Sequence, residues 1–355
     1  MKQRLETLRA NLRKNGLDAA LITSGVNIRY YSGFTSPDAI FLVTHKKAYL
    51  VTDFRYTIQA KAQTKGCAEV LETTYAEQLP AIRGFLEQDG CKRCGFEQDA
   101  LSVGAFAAYQ AFPVEWTPFG ETICLPRLYK SAEEIDLLQK AQKMADESYA
   151  AFLERVRPGM TELEATAELL YVCAKFGSEG PSFDPIVAGG PNGAMCHAVP
   201  GSRKLQNGDL VVVDFGCMCG GYHSDMTRTF GVGKVAEEPK KIYQIVKDAQ
   251  QKALDALKGG ISGKALDAAA RDYIASFGYG DAFGHGLGHG FGLEIHEPPR
   301  AAMSSTDTLT AGMTITVEPG VYVEGLCGVR IEDCCVVTET GHINLVSSPK
   351  ALVEI

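Results

Sequence analysis

The stretch HGLGHGFGLEIHEPP, residues 285–299, holds three of the chain's seven histidines: His285, His289 and His296. Glycines at 284, 286, 288, 290 and 292 exclude an ordinary helix there and permit tight backbone approach around a site. The spacing is not the G-x-G-x-x-G of a dinucleotide loop. Nor is it the helical H-E-x-x-H of a zinc protease, because Arg300 stands where the second histidine would fall. Two readings remain open at this point: a flexible glycine loop with incidental histidines, or backbone folded closely about a functional centre.

Working outward, carboxylates recur where the apolar pattern predicts burial. Asp214 closes the run Leu210-Val211-Val212-Val213, and Glu318 follows Ile315-Thr316-Val317 ahead of Pro319-Gly320. Glu332 sits in a run expected to form one strand over 329–337, and Asp225 on the return strand after the Gly220-Gly221 turn. A buried carboxylate must be paired, hydrogen-bonded, protonated or bound to a cation, because stripping water from its charge costs roughly several kcal/mol. A single acid at a strand end is commonly solvated or paired with an arginine such as Arg228 or Arg330. Four in neighbouring sheet segments ask for a shared cause, and divalent cations remove their mutual repulsion.

The 355-residue length suggests two domains. Residues 1–124 read as an α/β unit. It has an amphipathic N-terminal helix (Leu5, Leu8, Leu12), a strand at 18–23, a hairpin of 39–44 with 47–52 turning at His45-Lys46, and helices near 56–63, 77–87 and 101–111. The boundary falls at 124/125, just ahead of Pro126. Residues 125–355 open on a helix capped by Ser131 with Glu134, then one capped by Thr161 with Glu164. Strands follow, interrupted by helices near 239–257 and 262–277, and resume at 313–317, 321–323 and 329–337. The fold class expected is α+β. A net charge of −8 gives no support to nucleic-acid binding. No run of about 18 apolar residues predicts a membrane span, and the N-terminus lacks a signal peptide's apolar core. The eleven cysteines, with one unpartnered C-x-x-C at Cys91 and Cys94, read as thiols of a reducing cytoplasm.

Taken together, His285-x3-His289-x6-His296-Glu-x-Pro, Asp214 and Asp225 upstream, and Glu318-Pro-Gly and Arg330-Ile-Glu332-Asp downstream resemble the pita-bread metallopeptidases. Within them the chain most resembles the Xaa-Pro peptidases, aminopeptidase P and prolidase. The likeness covers nearly the whole chain, through Asn27-Ile28-Arg29-Tyr30-x-x-Gly33-Phe34, Asp53-x-Arg55-Tyr56 and Lys130-Ser131-x-x-Glu134-Ile135 in the first half. It implies a C-terminal pita-bread (creatinase/aminopeptidase) domain behind a smaller creatinase-like N-terminal domain that helps form homodimers and walls the cleft.

The resemblance also implies a ligand set. Asp214 matches the bidentate ligand of one metal, Asp225 and Glu332 the bridging carboxylates, and His289 and Glu318 the remaining ligands of the other. His197, His285 and His296 match active-site histidines that handle substrate, although Cys196 stands where the family usually has proline. Arg330 is expected to orient an acidic ligand, and His45, His223 and His342 to be surface-turn residues. Such oxygen-rich ligands suit manganese, cobalt or zinc, and the resemblance favours two manganese ions. The expected activity is hydrolysis of the Xaa-Pro bond, at the N-terminus of peptides or in dipeptides, through a metal-bridging hydroxide, with Glu318 moving the proton. A creatinase-like non-peptidase hydrolase or a binding module on the same fold is the alternative. Arg300 is a candidate for holding a dipeptide's carboxylate, with a plain surface role as its rival. The loop 32–38, carrying Asp38, either reaches a partner subunit's site or is a surface loop.

Overall fold

The computed structural model describes residues 1–355, which divide into two compact units, Met1–Arg127 and Leu128–Ile355. The first is built on α1 (Lys2–Lys14), β1 (Ala19–Ile22), α2 (Gly25–Ser32), β2 (Ile40–Thr44), β3 (Ala48–Thr52), α3 (Thr57–Thr64), β4 (Glu69–Glu72), α4 (Tyr75–Asp89), β5 (Arg93–Phe96), α5 (Val103–Gln110), β6 (Glu115–Pro118) and α6 (Gly120–Cys124). Its six strands form one mixed sheet in the order β4-β3-β2-β1-β5-β6. The heptad-like spacing of Leu5, Leu8 and Leu12 buries one face of α1. The hairpin turns where expected, with Val43 opposite Ala48. Strands β4, β5 and β6 and helices α2 and α6 were not expected; the strands are four residues each, too short for a clear period-two pattern.

The second unit begins with α7 (Ala132–Leu153) and α8 (Glu162–Lys175), each opened by the expected capping box. There follow β7 (Ile186–Gly189), β8 (Leu210–Phe215), β9 (Met218–Cys219), β10 (Tyr222–His223), β11 (Met226–Gly231), α9 (Glu237–Ala256) and α10 (Gly263–Ser276). The chain ends through β12 (Gly288–Gly290), β13 (Glu297–Ala301), β14 (Thr314–Val317), β15 (Gly320–Val323), β16 (Cys327–Arg330), β17 (Asp333–Val337) and β18 (His342–Asn344). The pairings are β11-β8-β7, β10-β9, β12-β13, β14-β17-β18 and β15-β16. Two apolar cores result. One joins α7 and α8 to β7, β8 and β11, through Phe152, Leu169, Val213 and Phe230; the other joins α9 and α10 to β14–β17, through Val246, Leu266, Ile315 and Val329.

The single strand expected over 329–337 is two. Strand β16 ends at Arg330 and pairs with β15, whereas β17 starts at Asp333 and pairs with β14. Ile331 and Glu332 make the step between sheets, and the Glu332 amide donates to the Thr227 carbonyl of β11. An unbroken apolar run cannot reveal such a step, because both halves are buried and β-branched. His223 and His342 likewise depart from the surface-turn reading: both are half-buried, on β10 and β18, and only His45 lies exposed in a turn. No helix is long and apolar enough to cross a membrane.

Candidate metal centre

Strand β11 sets the floor of the site. Residues 225, 227 and 229 share one face by strand alternation, and Thr227 lies opposite Asp214 of β8. The Thr227 hydroxyl donates to Glu332 Oε2 at 2.7 Å, and the Thr229 hydroxyl donates to the Arg330 carbonyl at 3.0 Å. Asp214, Asp225 and Glu332 therefore converge from β8, the residue just before β11, and the step between β16 and β17.

Strand β14 forms the opposite wall. Thr316 accepts the His289 amide at 3.0 Å and donates to Glu318 Oε1 at 3.0 Å. This close seating needs glycine: a Cβ on Gly288 would lie 2.0 Å from the Thr316 carbonyl oxygen, and one on Gly290 would lie 2.2 Å from the Pro298 carbonyl oxygen. Of the two readings of the glycine-histidine segment, the structure selects the folded one, a β12–β13 hairpin with a bulge after His289.

The result is a cluster of converging acceptors. Ligand atoms of Asp225, His289 and Glu332, all buried, lie within 4.8 Å of one another. His289 Nε2 is 3.3 Å from Glu318 Oε1 and 3.6 Å from Asp225 Oδ2. His289 Nδ1 faces the Gly290 carbonyl at 3.0 Å, so the ring proton belongs on Nδ1 and Nε2 presents a bare lone pair to two carboxylates. Burial, opposed by the hydrogen bond to Gly290 and reinforced by His296 and the Arg300 charge, pushes the His289 pKa down to about 4, against charging of the ring. Burial and then mutual repulsion hold Asp225 and Glu332 well above the usual carboxylate range. Burial also lifts Glu318 to about 8. Asp214 Oδ1 is buried with no hydrogen-bond partner, while its Oδ2 accepts from Arg330 Nη2 at 2.6 Å. Converging acceptors, a lone pair turned inward and an orphaned carboxylate oxygen fit divalent cations.

The expected companions fall around this centre. The His296 ring is 4.3 Å from that of His289, nearly edge-on. His285 donates from Nδ1 to the Gly286 carbonyl at 2.8 Å, which leaves Nε2 to accept from the Tyr322 hydroxyl at 2.9 Å. Burial pushes the His285 pKa down to about 4. The exposed His197 lies near enough that its charge would weigh on both His285 and His296. Arg330, 4% exposed, joins Asp214 to Tyr322 (2.7 Å), the Cys196 carbonyl (3.2 Å) and Thr227 (3.2 Å). Arg228 does not meet the cluster's carboxylates; it pairs with Asp333 at 2.9 Å behind them and donates to the Glu332 carbonyl at 2.6 Å. Sequence reasoning missed Thr227, Thr316 and Tyr322, whose residue types are ordinary strand formers. The one available signal was the place of Thr227 and Thr316 two residues from the suspected ligands Asp225 and Glu318; Tyr322, four residues past Glu318 on β15, carried none.

Comparison with known proteins agrees with this architecture. Residues 136–339 match Metallopeptidase family M24, and residues 4–128 match the Creatinase/Prolidase N-terminal domain. The chain is 36% identical to a Xaa-Pro dipeptidase of Pyrococcus furiosus, over 99% of this chain and 100% of that one. Among solved structures it resembles a Xaa-Pro dipeptidase from Bacillus anthracis (TM-score 0.95, 38% identity, 99% of each chain). It also resembles an X-Pro aminopeptidase from Thermotoga maritima (TM-score 0.93, 34% identity, 99% of this chain and 100% of that one). The chain belongs to the pita-bread metallopeptidases of family M24 and carries the creatinase-like N-terminal domain ahead of the catalytic one.

Proposed function

We propose that this chain is a metallo-exopeptidase that hydrolyses the Xaa-Pro bond, in dipeptides or at the N-terminus of longer peptides. The observation carrying this is the bare His289 Nε2 facing Asp225 and Glu318 at 3.6 and 3.3 Å, an arrangement in which ionised carboxylates repel the lone pair unless a cation lies between the groups. Asp214, Asp225, His289, Glu318 and Glu332 are the residues that would hold two divalent ions, manganese by family likeness, with cobalt or zinc also compatible with these donors. Ions held there supply a Lewis acid and lower the pKa of water from about 15.7 toward about 7.

The chain's own groups divide the remaining work. Arg330 fixes Asp214 Oδ2 by a charge-assisted bond and keeps that carboxylate turned inward. Glu318 is placed to pass a proton to the departing nitrogen. His197 and His296 donate hydrogen bonds to the developing oxyanion and the substrate backbone. His285, neutral and fixed by Tyr322, lines the side that receives proline. Arg300 is exposed on β13 opposite His289 of β12, a cation beside the centre that could meet a dipeptide's carboxylate. The family resemblance implies a homodimer, the free cysteines fit a reducing cytoplasm, and the loop that carries Asp38 either reaches a partner subunit's site or is a surface loop.

Metal analysis and hydrolysis assays on Glu332→Ala and Asp225→Ala test the centre: both variants should lose bound metal and activity together. A metal-free but active Glu332→Ala protein would sink the proposal. Arg300→Ala should raise KM for Xaa-Pro dipeptides about tenfold and leave Xaa-Pro-Yaa substrates nearly unchanged. Equal effects on both substrates would return Arg300 to a surface role.

A further inference from the structure

Helix α10 makes a set of contacts that its packing does not require. Asp267 and Arg271 stand one turn apart on it, with side chains 1% and 12% exposed. Arg271 Nε donates to Asp267 Oδ2 at 2.7 Å and Nη2 to Oδ1 at 2.9 Å. The same guanidinium leaves the helix to reach backbone. Its Nη1 donates to the Phe283 carbonyl and its Nη2 to the His285 carbonyl, each at 2.6 Å. Its carbon lies 4.0 Å over the Phe283 ring. Asp267 Oδ1 in turn accepts the Leu287 amide at 3.0 Å. The segment 283–287 is thus gripped at three alternate residues by one ion pair.

What is gripped is otherwise pliant. His285 lies between Gly284 and Gly286, and glycine on both sides gives this short stretch more backbone freedom than any other residue type would. The ring itself is held only by its own neighbour Gly286, by Tyr322 and by an edge contact with Phe283 at 5.0 Å. Release of the Phe283 and His285 carbonyls would free the ring to leave Tyr322. None of these contacts involves the metal-binding carboxylates directly.

We propose that Asp267 and Arg271 are positioning residues that set selectivity for the residue after the scissile bond by fixing His285. The proposal rests on the reading of His285 as the proline-side wall. A bidentate arginine can bond the aspartate and two carbonyls at once; a lysine can supply charge but not that fork.

The test uses the full-length, manganese-loaded protein and compares Ala-Pro with Ala-Ala as substrates. Arg271→Met should raise KM for Ala-Pro about tenfold, keep kcat within about threefold and cut the preference for proline by a like factor, with bound metal unchanged. Arg271→Lys, the milder change that keeps the charge, should fall between. A double variant with His285→Ala should lose no more than His285→Ala alone, because both substitutions remove the same wall. The proposal is overturned if Arg271→Met loses both substrates in equal proportion, or if the two losses multiply. Nitrogen NMR of the imidazoles, on zinc-loaded protein, reads the positioning without turnover. The His285 ring should be a single Nδ1–H tautomer in the native chain and a mixture in Arg271→Met and Arg271→Lys. A native chain that does not prefer proline overturns the functional reading; an unchanged tautomer in the folded variants overturns the clamp.

Discussion

At the scale of single residues, His285 shows how burial becomes a pH effect. Burial lowers its pKa from about 6.5 in the unfolded chain to about 4 in the folded one. The unfolded state therefore binds more protons between those values, and stability present above pH 6.5 is lost as the pH falls toward 4. Replacing His285 with Asn should flatten that part of the dependence of Tm on pH; an unchanged slope would place the titration elsewhere. His289, flanked by glycines, was singled out from its neighbours only by the family resemblance, whereas the acids could be picked out in the sequence because a charge inside an apolar run violates the pattern. Thr227, Thr316 and Tyr322 could not, because a hydroxyl on a strand breaks no rule and its partner lies far along the chain: Thr227 meets Glu332 across 105 positions. Arg330 carried an ambiguous signal, being equally able to neutralise a cluster or to pair locally as Arg228 does with Asp333.

Among elements, the segment that carries His197 depends on the first turn of α8. Glu162, 1% exposed, accepts from the Gly189 amide (3.0 Å), Asn192 Nδ2 (3.0 Å) and the Gly201 amide (3.1 Å). Glu162→Gln keeps the shape but turns a donor toward donors, and should cost roughly 2–4 kcal/mol by denaturant unfolding, with faster amide exchange at Gly189 and Gly201. If exchange rises no more there than elsewhere, the loop has another anchor. Helices were readable here because their caps are local: Ser131 with Glu134 and Thr161 with Glu164 close within one turn. The division of 329–337 between two sheets was not, since it is decided by which strands lie alongside, β15 for one half and β14 for the other. The glycines of β12 predicted close approach without saying to what; the answer is Thr316 and Pro298.

For the whole molecule, the two units were foreseeable from length and from the change in pattern near Pro126, and they part between Arg127 and Leu128. A centre whose ionised carboxylates repel one another without cations makes the catalytic unit's stability depend on metal supply. Each ion present at a hundredfold excess over its Kd should add about 2.7 kcal/mol, so Tm should climb with manganese concentration and drop on chelation. A Tm indifferent to chelator would mean the acids are satisfied by protons alone. The separation of the site's parts along the chain carries a further consequence, for time rather than equilibrium. Asp214 and Arg330 touch across 116 positions, and the cluster draws its side chains from β8 and the residue before β11 in one sheet, from β12 in a second and from the ends of strands in others. Such closures complete late in folding, after the sheets that carry them exist. Ions that bind only the finished centre are absent from the rate-limiting barrier and act on the way out, not the way in. Manganese should slow unfolding in stopped-flow experiments and leave the refolding rate where it was. Metal supply would then govern how long each copy of the protein lasts, while the rate at which new copies fold stays the same in its presence or absence.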